Sequence, residues 1–322
     1  MRYLITGGAG FIGGHLTESL LADGHQVTVV DNLSTGSLDN LAAVSGNPNL
    51  TFIKDDIVEM QNLGDIAVKV DVIYHLAAAV GVELVVNDPV RTIITNVHGT
   101  ENVLKAASAH NKRVIVASTS EVYGKSSKET FTEDDDLLIG CPTHSRWSYA
   151  CSKLLDEFYV IAFHRDRGLK GTVVRLFNTV GPRQTGQYGM VVPRFVASAL
   201  AGKDVPVYGD GSQTRCFCHV FDTVRALRGL AECEKSYGGI YNIGSNHRIS
   251  ITELAEAIIK RLGSPSGLVY IPYEQAYQKG FEDMLHRAPN TRAIKELLGW
   301  QSELPLERII DDVAASIRSG RK

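Results

Sequence analysis

The feature that most restricts what this chain can fold into is Thr6-Gly7-Gly8-Ala9-Gly10-Phe11-Ile12-Gly13. It joins a short apolar run, Arg2–Thr6, to a helix-like stretch, Phe11–Ala22. The glycines at 7, 10 and 13 each have a use. One permits a tight turn, one lets backbone approach a pyrophosphate, and one lets a helix pack close on a strand. The N-terminus of the following helix offers free N–H groups and a dipole that favours phosphate. The next apolar run, Gln26–Val30, leads straight to Asp31. An acid at the end of that second strand accepts from both hydroxyls of an adenosine ribose and repels a 2′-phosphate. The pattern predicts a dinucleotide site that prefers NAD to NADP. Asp56, just past the third apolar run, suits the adenine edge; on spacing alone it is equally a solvated turn acid.

Further short runs, Thr51–Ile53, Val72–Leu76, Val114–Ala117 and Thr172–Leu176, read as strands bounded by turn residues. Between them lie helical patterns, Val90–His110 and Tyr149–Arg165. Strand-helix alternation of this kind predicts an α/β protein whose parallel sheet is covered by helices on both faces. The alternation breaks after Leu176, where Asn178–Gly189 is rich in Gly, Pro and polar residues. Helix-like Val191–Ala201, strand-like Val205–Tyr208, helix-like Phe221–Cys233, strand-like Ile240–Ile243 and a capped helix over Ser250–Leu262 follow. No repeat and no low-complexity linker interrupts them, so the second half is expected to fold onto the first.

With 322 residues, of which 44% are hydrophobic and 21% charged, the chain can bury a sizeable core. Lys and Arg number 33 against 36 Asp and Glu, a formal charge of −3. That balance does not suggest a nucleic-acid partner. No run approaches the roughly 18–20 apolar residues that span a bilayer, and the start of the chain lacks a signal-peptide pattern. A cytoplasmic protein with no membrane partner is expected. Cys141, Cys151, Cys216, Cys218 and Cys233 are scattered, with no Cys-x-x-Cys, so neither a disulfide framework nor a metal site is expected.

Tyr149 and Lys153 form Tyr-x-x-x-Lys, a spacing that puts both on one helix face. An ammonium near a phenol favours phenolate, and a phenolate can take the proton from a sugar hydroxyl while hydride leaves for NAD. The run Ser118-Thr119-Ser120-Glu121-Val122-Tyr123-Gly124 follows the fifth strand, where such sheets carry ligand contacts. Its hydroxyls are placed to hold a substrate hydroxyl beside Tyr149; an ordinary helix cap is the plainer alternative.

Taken together these segments resemble the extended short-chain dehydrogenase/reductases, the NAD-dependent nucleotide-sugar epimerase/dehydratase family. The resemblance also covers Asp31-Asn32-Leu33-Ser34, His75-Leu76-Ala77-Ala78, Asn96-Val97-His98-Gly99-Thr100, Asn178-Thr179-Val180-Gly181-Pro182, Gly209–Arg215 and Tyr241-Asn242-Ile243-Gly244. It implies a Rossmann-type doubly wound parallel sheet with a smaller C-terminal α/β substrate domain. The NAD-binding domain would hold residues 1–177 with a return segment about 221–245, and the nucleotide-sugar domain 178–220 and 246–322. The cofactor would meet Gly7, Gly10, Phe11, Ile12, Gly13, Asp31, Asn32, Ser34, Thr35, Gly36, Asp56, Ile57, Leu76, Ala77, Ala78, Asn96 and Ser118, with Tyr149 and Lys153. Asn178, Arg215, Arg146 and Arg287 would meet the substrate, a nucleotide-sugar expected to be UDP-linked. Members pair two long helices across a two-fold axis. Here these are Val90–His110 and Tyr149–Arg165, with Ile93, Val97, Leu154 and Phe158 as candidate contacts in a homodimer.

The family shares oxidation at C4 of the sugar, and the neighbouring atoms decide the next step. An epimerase returns hydride to the other face, a 4,6-dehydratase loses the C6 hydroxyl, and a C6 carboxylate beside the ketone leaves as carbon dioxide. Thr119, Ser120 and Glu121 resemble the Thr-Ser-Glu triplet of the family's decarboxylases, whereas Ser120 stands where the hexose dehydratases carry Asp. Arg146–Lys153 and Gly280–Arg287 resemble segments of UDP-glucuronate decarboxylases and UDP-apiose/UDP-xylose synthases. Ala79-Val80-Gly81-Val82-Glu83 departs from them, lacking their tyrosine and proline pattern. The expected order is UDP-glucuronate decarboxylase, then UDP-hexose or UDP-uronate 4-epimerase, then 4,6-dehydratase, with Tyr149, Lys153, Thr119, Ser120, Glu121 and Arg287 catalytic.

Overall fold

In the computed structural model, residues 1–81, 85, 87–186, 190–272, 275 and 286–320 are described. Glu83 and the stretch Gly280–Leu285 lie outside them. To Leu176 the chain runs β1 (Arg2–Thr6), α1 (Phe11–Ala22), β2 (Gln26–Asp31), β3 (Leu50–Lys54), α2 (Leu63–Ala67), β4 (Val72–His75), α3 (Pro89–Ala109), β5 (Arg113–Thr119), α4 (Arg146–Arg167) and β6 (Lys170–Leu176). It continues through β7 (Thr179–Val180), α5 (Val191–Leu200), β8 (Val205–Tyr208), β9 (Thr214–Cys216), β10 (Cys218–His219), α6 (Val220–Glu232) and β11 (Ile240–Ile243). Then come β12 (Arg248–Ser250), α7 (Ile251–Leu262), β13 (Leu268–Ile271), β14 (His286–Arg287), α8 (Arg292–Leu298) and α9 (Leu306–Arg318).

Seven strands form one sheet in the order β11-β6-β5-β4-β1-β2-β3, every neighbour parallel. Its runs are apolar rather than alternating because both faces are covered. On one face Leu16 and Leu20 of α1 pack with Leu227 and Leu230 of α6. On the other, Val103 and Leu104 of α3 pack with Val160 and Phe163 of α4. This is the doubly wound α/β architecture. The strand order turns back on itself beside β1, between β2 and β4. At such a reversal the loops leaving the strands diverge and open a crevice at their C-terminal ends.

A second core joins α5, β8, α7 and α9 through Phe195, Val207, Leu254, Ile258, Ile310 and Val313. Here β8 and β13 pair in parallel, and β9 is flanked by antiparallel β12 and parallel β14. The Ser250 hydroxyl accepts the Glu253 N–H and the Glu253 carboxylate accepts in return, a capping box that starts α7 where its sequence predicts. The Gly/Pro-rich stretch after Leu176 is not wholly irregular: Thr179–Val180 pairs with β10. Downstream, Ile294 of α8 and Trp300 pack with the α1/α6 core on the large sheet.

Candidate active site

The crevice is a cleft of about 490 Å³ running from the glycine loop to β14. Its lining includes Gly7, Gly10, Phe11, Ile12, Gly13, Asp31, Asn32, Ser34, Thr35, Gly36, Asp56, Ile57, Leu76, Ala77 and Ala78 at one end. Ser118, Thr119, Ser120, Glu121, Arg146, Tyr149, Lys153, Asn178, Arg215 and Arg287 line the rest. Among the residues expected at the site, Asn96 is the exception. It is fully buried, accepts the Ala79 N–H at 2.8 Å and donates to Ser152 Oγ at 3.0 Å. Its amide therefore pins the loop after β4 to α4 and faces no ligand.

The glycine loop fits a dinucleotide. Gly7 has φ +73°, and a Cβ there would lie 2.6 Å from Ala77 N. At Gly13 a Cβ would lie 2.2 Å from the Gly7 carbonyl oxygen. A side chain at Gly7 would force the loop away from the end of β4, and one at Gly13 would force α1 away from the loop, so either would disturb the tight turn that faces the cleft. Asp31, buried at the end of β2, accepts the Ala9 N–H at 2.9 Å and the Leu33 N–H at 2.8 Å. These bonds fix its carboxylate at the cleft, where a ribose would lie. Asp56 plays two structural parts, accepting from Asn32 Nδ2 at 2.8 Å and from the Val58 N–H at 2.9 Å.

At the other end, Tyr149 is turned into the interior beside the Thr119 hydroxyl. Burial first, then the Glu121 carboxylate and Asp156, raise its phenol above the ordinary range; Thr119 and Arg287 act in the opposite sense. This corrects the expectation that Lys153 makes Tyr149 acidic in the resting protein. The Lys153 ammonium pairs instead with Asp156, Nζ to Oδ2 2.6 Å, and both side chains are buried. Ser118 departs from expectation too. Its hydroxyl donates to Glu157, so towards the cleft it can offer only its acceptor lone pairs. Thr119 Oγ1 accepts the Glu121 N–H at 3.2 Å, which turns the chain so that Glu121 faces the cleft.

Arg287 reaches in from β14. Its Nη1 lies 3.6 Å from Glu121 Oε1 and its Nη2 donates to Asn178 Oδ1 at 2.5 Å. Asn178 has φ +35°, a left-handed conformation that Asn tolerates better than most residues, and its Nδ2 donates to the Cys216 carbonyl at 2.9 Å. A guanidinium facing a carboxylate beside a phenol can bind an anionic substituent and exchange a proton with the carbon next to it. Among the described residues no group of three or more His, Cys, Asp or Glu side chains is arranged to hold a metal ion.

Some lining residues carry no motif and escape sequence reading. Arg194 lies over the Tyr208 ring at 4.0 Å, and both line the cleft. Arg183, at φ +67°, clamps Glu18 of α1 with Nη1 and Nη2 at 2.6 and 2.7 Å, while its N–H donates to Ser316 of α9. In the sequence, Arg194 sits in an amphipathic helix and Arg183 after a proline, and neither context announces a ligand.

The family described as GDP-mannose 4,6-dehydratase matches residues 4–313. A UDP-N-acetyl-alpha-D-glucosaminuronate decarboxylase of Bacillus cytotoxicus is 43% identical over 308 residues, 95% of this chain and 94% of the relative. UDP-glucuronic acid decarboxylase 1 of Danio rerio is 38% identical over 306 residues, 95% of this chain and 70% of the relative. Among solved structures, UDP-glucuronic acid 4-epimerase of Bacillus cereus, in complex with UDP-glucuronic acid and NAD, is similar with a TM-score of 0.87. Its identity is 26%, and the match covers 99% of each chain.

Proposed function

This chain belongs to the GDP-mannose 4,6-dehydratase family, and from that premise we propose that it is an NAD-dependent decarboxylase of a UDP-linked hexuronate. The observation that carries the reading is Glu121 and Arg287 facing each other at 3.6 Å beside Tyr149. Relatives named as decarboxylases of UDP-glucuronate and of UDP-N-acetylglucosaminuronate support it.

In this reading bound NAD supplies a hydride acceptor for C4 of the sugar. The loop around Gly7, Gly10 and Gly13 leaves room for its pyrophosphate, and Asp31 accepts from its ribose. Tyr149 takes the proton of the C4 hydroxyl, with Thr119 orienting that hydroxyl. Arg287 pairs with the C6 carboxylate and turns it out of the ring plane, where the breaking bond overlaps the ketone. Carbon dioxide departs and leaves an enolate, and Glu121 delivers a proton to C5, giving a 4-keto sugar that is either released in that oxidised form or takes the hydride back at C4 as Tyr149 returns its proton. Asn178, Arg146 and Arg215 hold the diphosphate and ribose of the substrate. We assign the cofactor to residues 1–177 with the return segment about 221–245, and the sugar to 178–220 and 246–322.

The test is incubation with NAD and either UDP-glucuronate or UDP-N-acetylglucosaminuronate, with products read by mass. Loss of carbon dioxide is the expected result. A uronate returned at unchanged mass with C4 inverted supports the 4-epimerase reading, which the Bacillus cereus neighbour favours. Loss of water from a neutral hexose supports a dehydratase.

We also propose a homodimer through α3 and α4. Ile93 is 44% and Phe158 65% exposed, and Val90, Ile94 and Leu155 extend the apolar face. Val97 is half-buried, and Leu154 packs against the cluster of Tyr123, Phe131 and Phe177, so of the four expected contacts Ile93 and Phe158 lie on the exposed stripe.

A further inference from the structure

Tyr149, Lys153 and Asp156 succeed one another on α4 at spacings of four and three, so they share one helix face. Lys153 Nζ and Asp156 Oδ2 stand 2.6 Å apart with 2% and 0% of their side chains exposed. The other carboxylate oxygen, Oδ1, is buried and makes no hydrogen bond among the described residues. Among those residues Lys153 is the ion-pair partner of this carboxylate.

The elements packed around the pair carry groups that are neutral or matched. From α3, Thr100 stands beside Asp156, and its hydroxyl meets His75 Nε2 on β4 at 2.9 Å. His75 Nδ1 in turn meets Thr6 Oγ1 at 2.7 Å. Burial, helped by Lys153, holds His75 down to about 3, so its ring is neutral. Glu157, next along α4, is matched by Arg175 of β6 at 2.7 Å. Across the cleft Glu121 and Arg287 face each other. On its own helix, Asp156 acts directly on Tyr149, Lys153 is paired with Asp156, and Arg146 lies at the cleft one turn before Tyr149.

We propose that Asp156 is a positioning residue for proton transfer, holding the Lys153 ammonium and setting the pH at which Tyr149 becomes a base. The inference rests on the reading of Tyr149 as that base. A carboxylate in contact with the ammonium cancels most of its field at the phenol and adds repulsion of its own. The phenol therefore keeps its proton in the resting protein and releases it when a further positive charge enters the cleft. That restraint limits proton transfer to the assembled complex.

The experiment compares Asp156→Asn, Asp156→Glu and Tyr149→Phe in the NAD-loaded enzyme across pH. Turnover rises with pH as Tyr149 loses its proton. Removing an anion lowers the phenol's pKa, so the acid limb in Asp156→Asn moves to lower pH by about one unit. Asp156→Glu restores the wild-type limb. A fall in turnover at every pH with the limb in place overturns the proposal, because a purely structural residue does just that. Tyr149→Phe separates the two claims: if it retains turnover, the base assignment fails whatever Asp156 does. A cofactor-free readout is the unfolding cycle of Lys153→Met, Asp156→Leu and the double variant. If the singles fail to fold and the double folds, or the double costs less than the singles summed, the pair is coupled as proposed. Additive losses, or a double variant that also fails to fold, overturn it.

Discussion

Replacing Arg175 with Met should be among the most damaging single changes in the protein. The guanidinium is 2% exposed and gives Nε to Glu157 Oε1 and Oε2 at 3.0 and 3.2 Å and Nη2 to Oε2 at 2.7 Å. Its Nη1 donates to Tyr123 OH at 2.9 Å and to the Glu133 carbonyl at 3.1 Å. Glu157, itself 3% exposed, would keep only the Ser118 hydroxyl. Removing one member of a buried pair costs about 3–5 kcal/mol, since a charge is left without compensation. Against a total stability of about 5–15 kcal/mol, that is about 30–50% for a mid-range fold. The assay is urea unfolding of the cofactor-free protein. Glu157→Met/Arg175→Met removes both charges and should recover most of the loss, short of full recovery because Ser118 and the Glu133 carbonyl lose partners. A cost under about 1 kcal/mol, the range of exposed pairs, would refute the reasoning. So would a double variant no more stable than the single.

The other predictions concern cofactor choice, assembly, acid stability and the final proton. Asp31→Ser should weaken NAD binding and admit NADP, read by titrating both cofactors; unchanged affinities remove Asp31 from the ribose. Phe158→Glu should convert a dimer in sedimentation to a monomer, and a wild-type protein that is monomeric at micromolar concentration defeats the interface. His15 and His75, held by burial at about 4 and about 3 against 6.5 when exposed, are neutral in the fold. Their contribution is complete above pH 6.5 and is lost as pH falls towards about 4 for His15 and about 3 for His75, because the unfolded chain then binds protons that the folded one does not. Urea midpoints should fall across that window and fall less in His15→Gln. Glu121→Gln should still reduce bound NAD with a UDP-linked uronate but form the C5-protonated product slowly, and intact turnover would contradict the proton-donor role.

What sequence conveys here is what is local. The glycine loop, the strands of the large sheet and the capped helix at Ser250 depend on neighbours within a turn or two, and each appears where its residues predict. Tyr149 and Lys153 are legible as a pair because a helix fixes their spacing. The same spacing does not reveal that Lys153 pairs with Asp156 in a buried setting, where Thr100 of α3 stands beside Asp156 and His75 of β4 bonds Thr100. Arg175 and Glu157 read as an ordinary strand cation and helix anion, yet the fold seals them together. Asn96 belongs to a motif quoted for the cofactor, but its geometry serves the loop after β4. The pairing of β8 with β13 joins segments some 60 residues apart and has no local signature.

The arrangement of charge explains how one cleft can favour a uronate over a neutral hexose. In the resting site Arg287 contacts Glu121 and Asn178, and Lys153 contacts Asp156. A neutral sugar gives Arg287 no reason to leave those partners, so Glu121 stays beside a cation. A carboxylate at C6 competes for the same guanidinium. Once Arg287 turns to it, Glu121 loses its counter-charge and faces the substrate beside Tyr149. The substrate's charge thus supplies the partner that draws Arg287 away, and a sugar without that charge leaves Arg287 with Glu121 and Asn178.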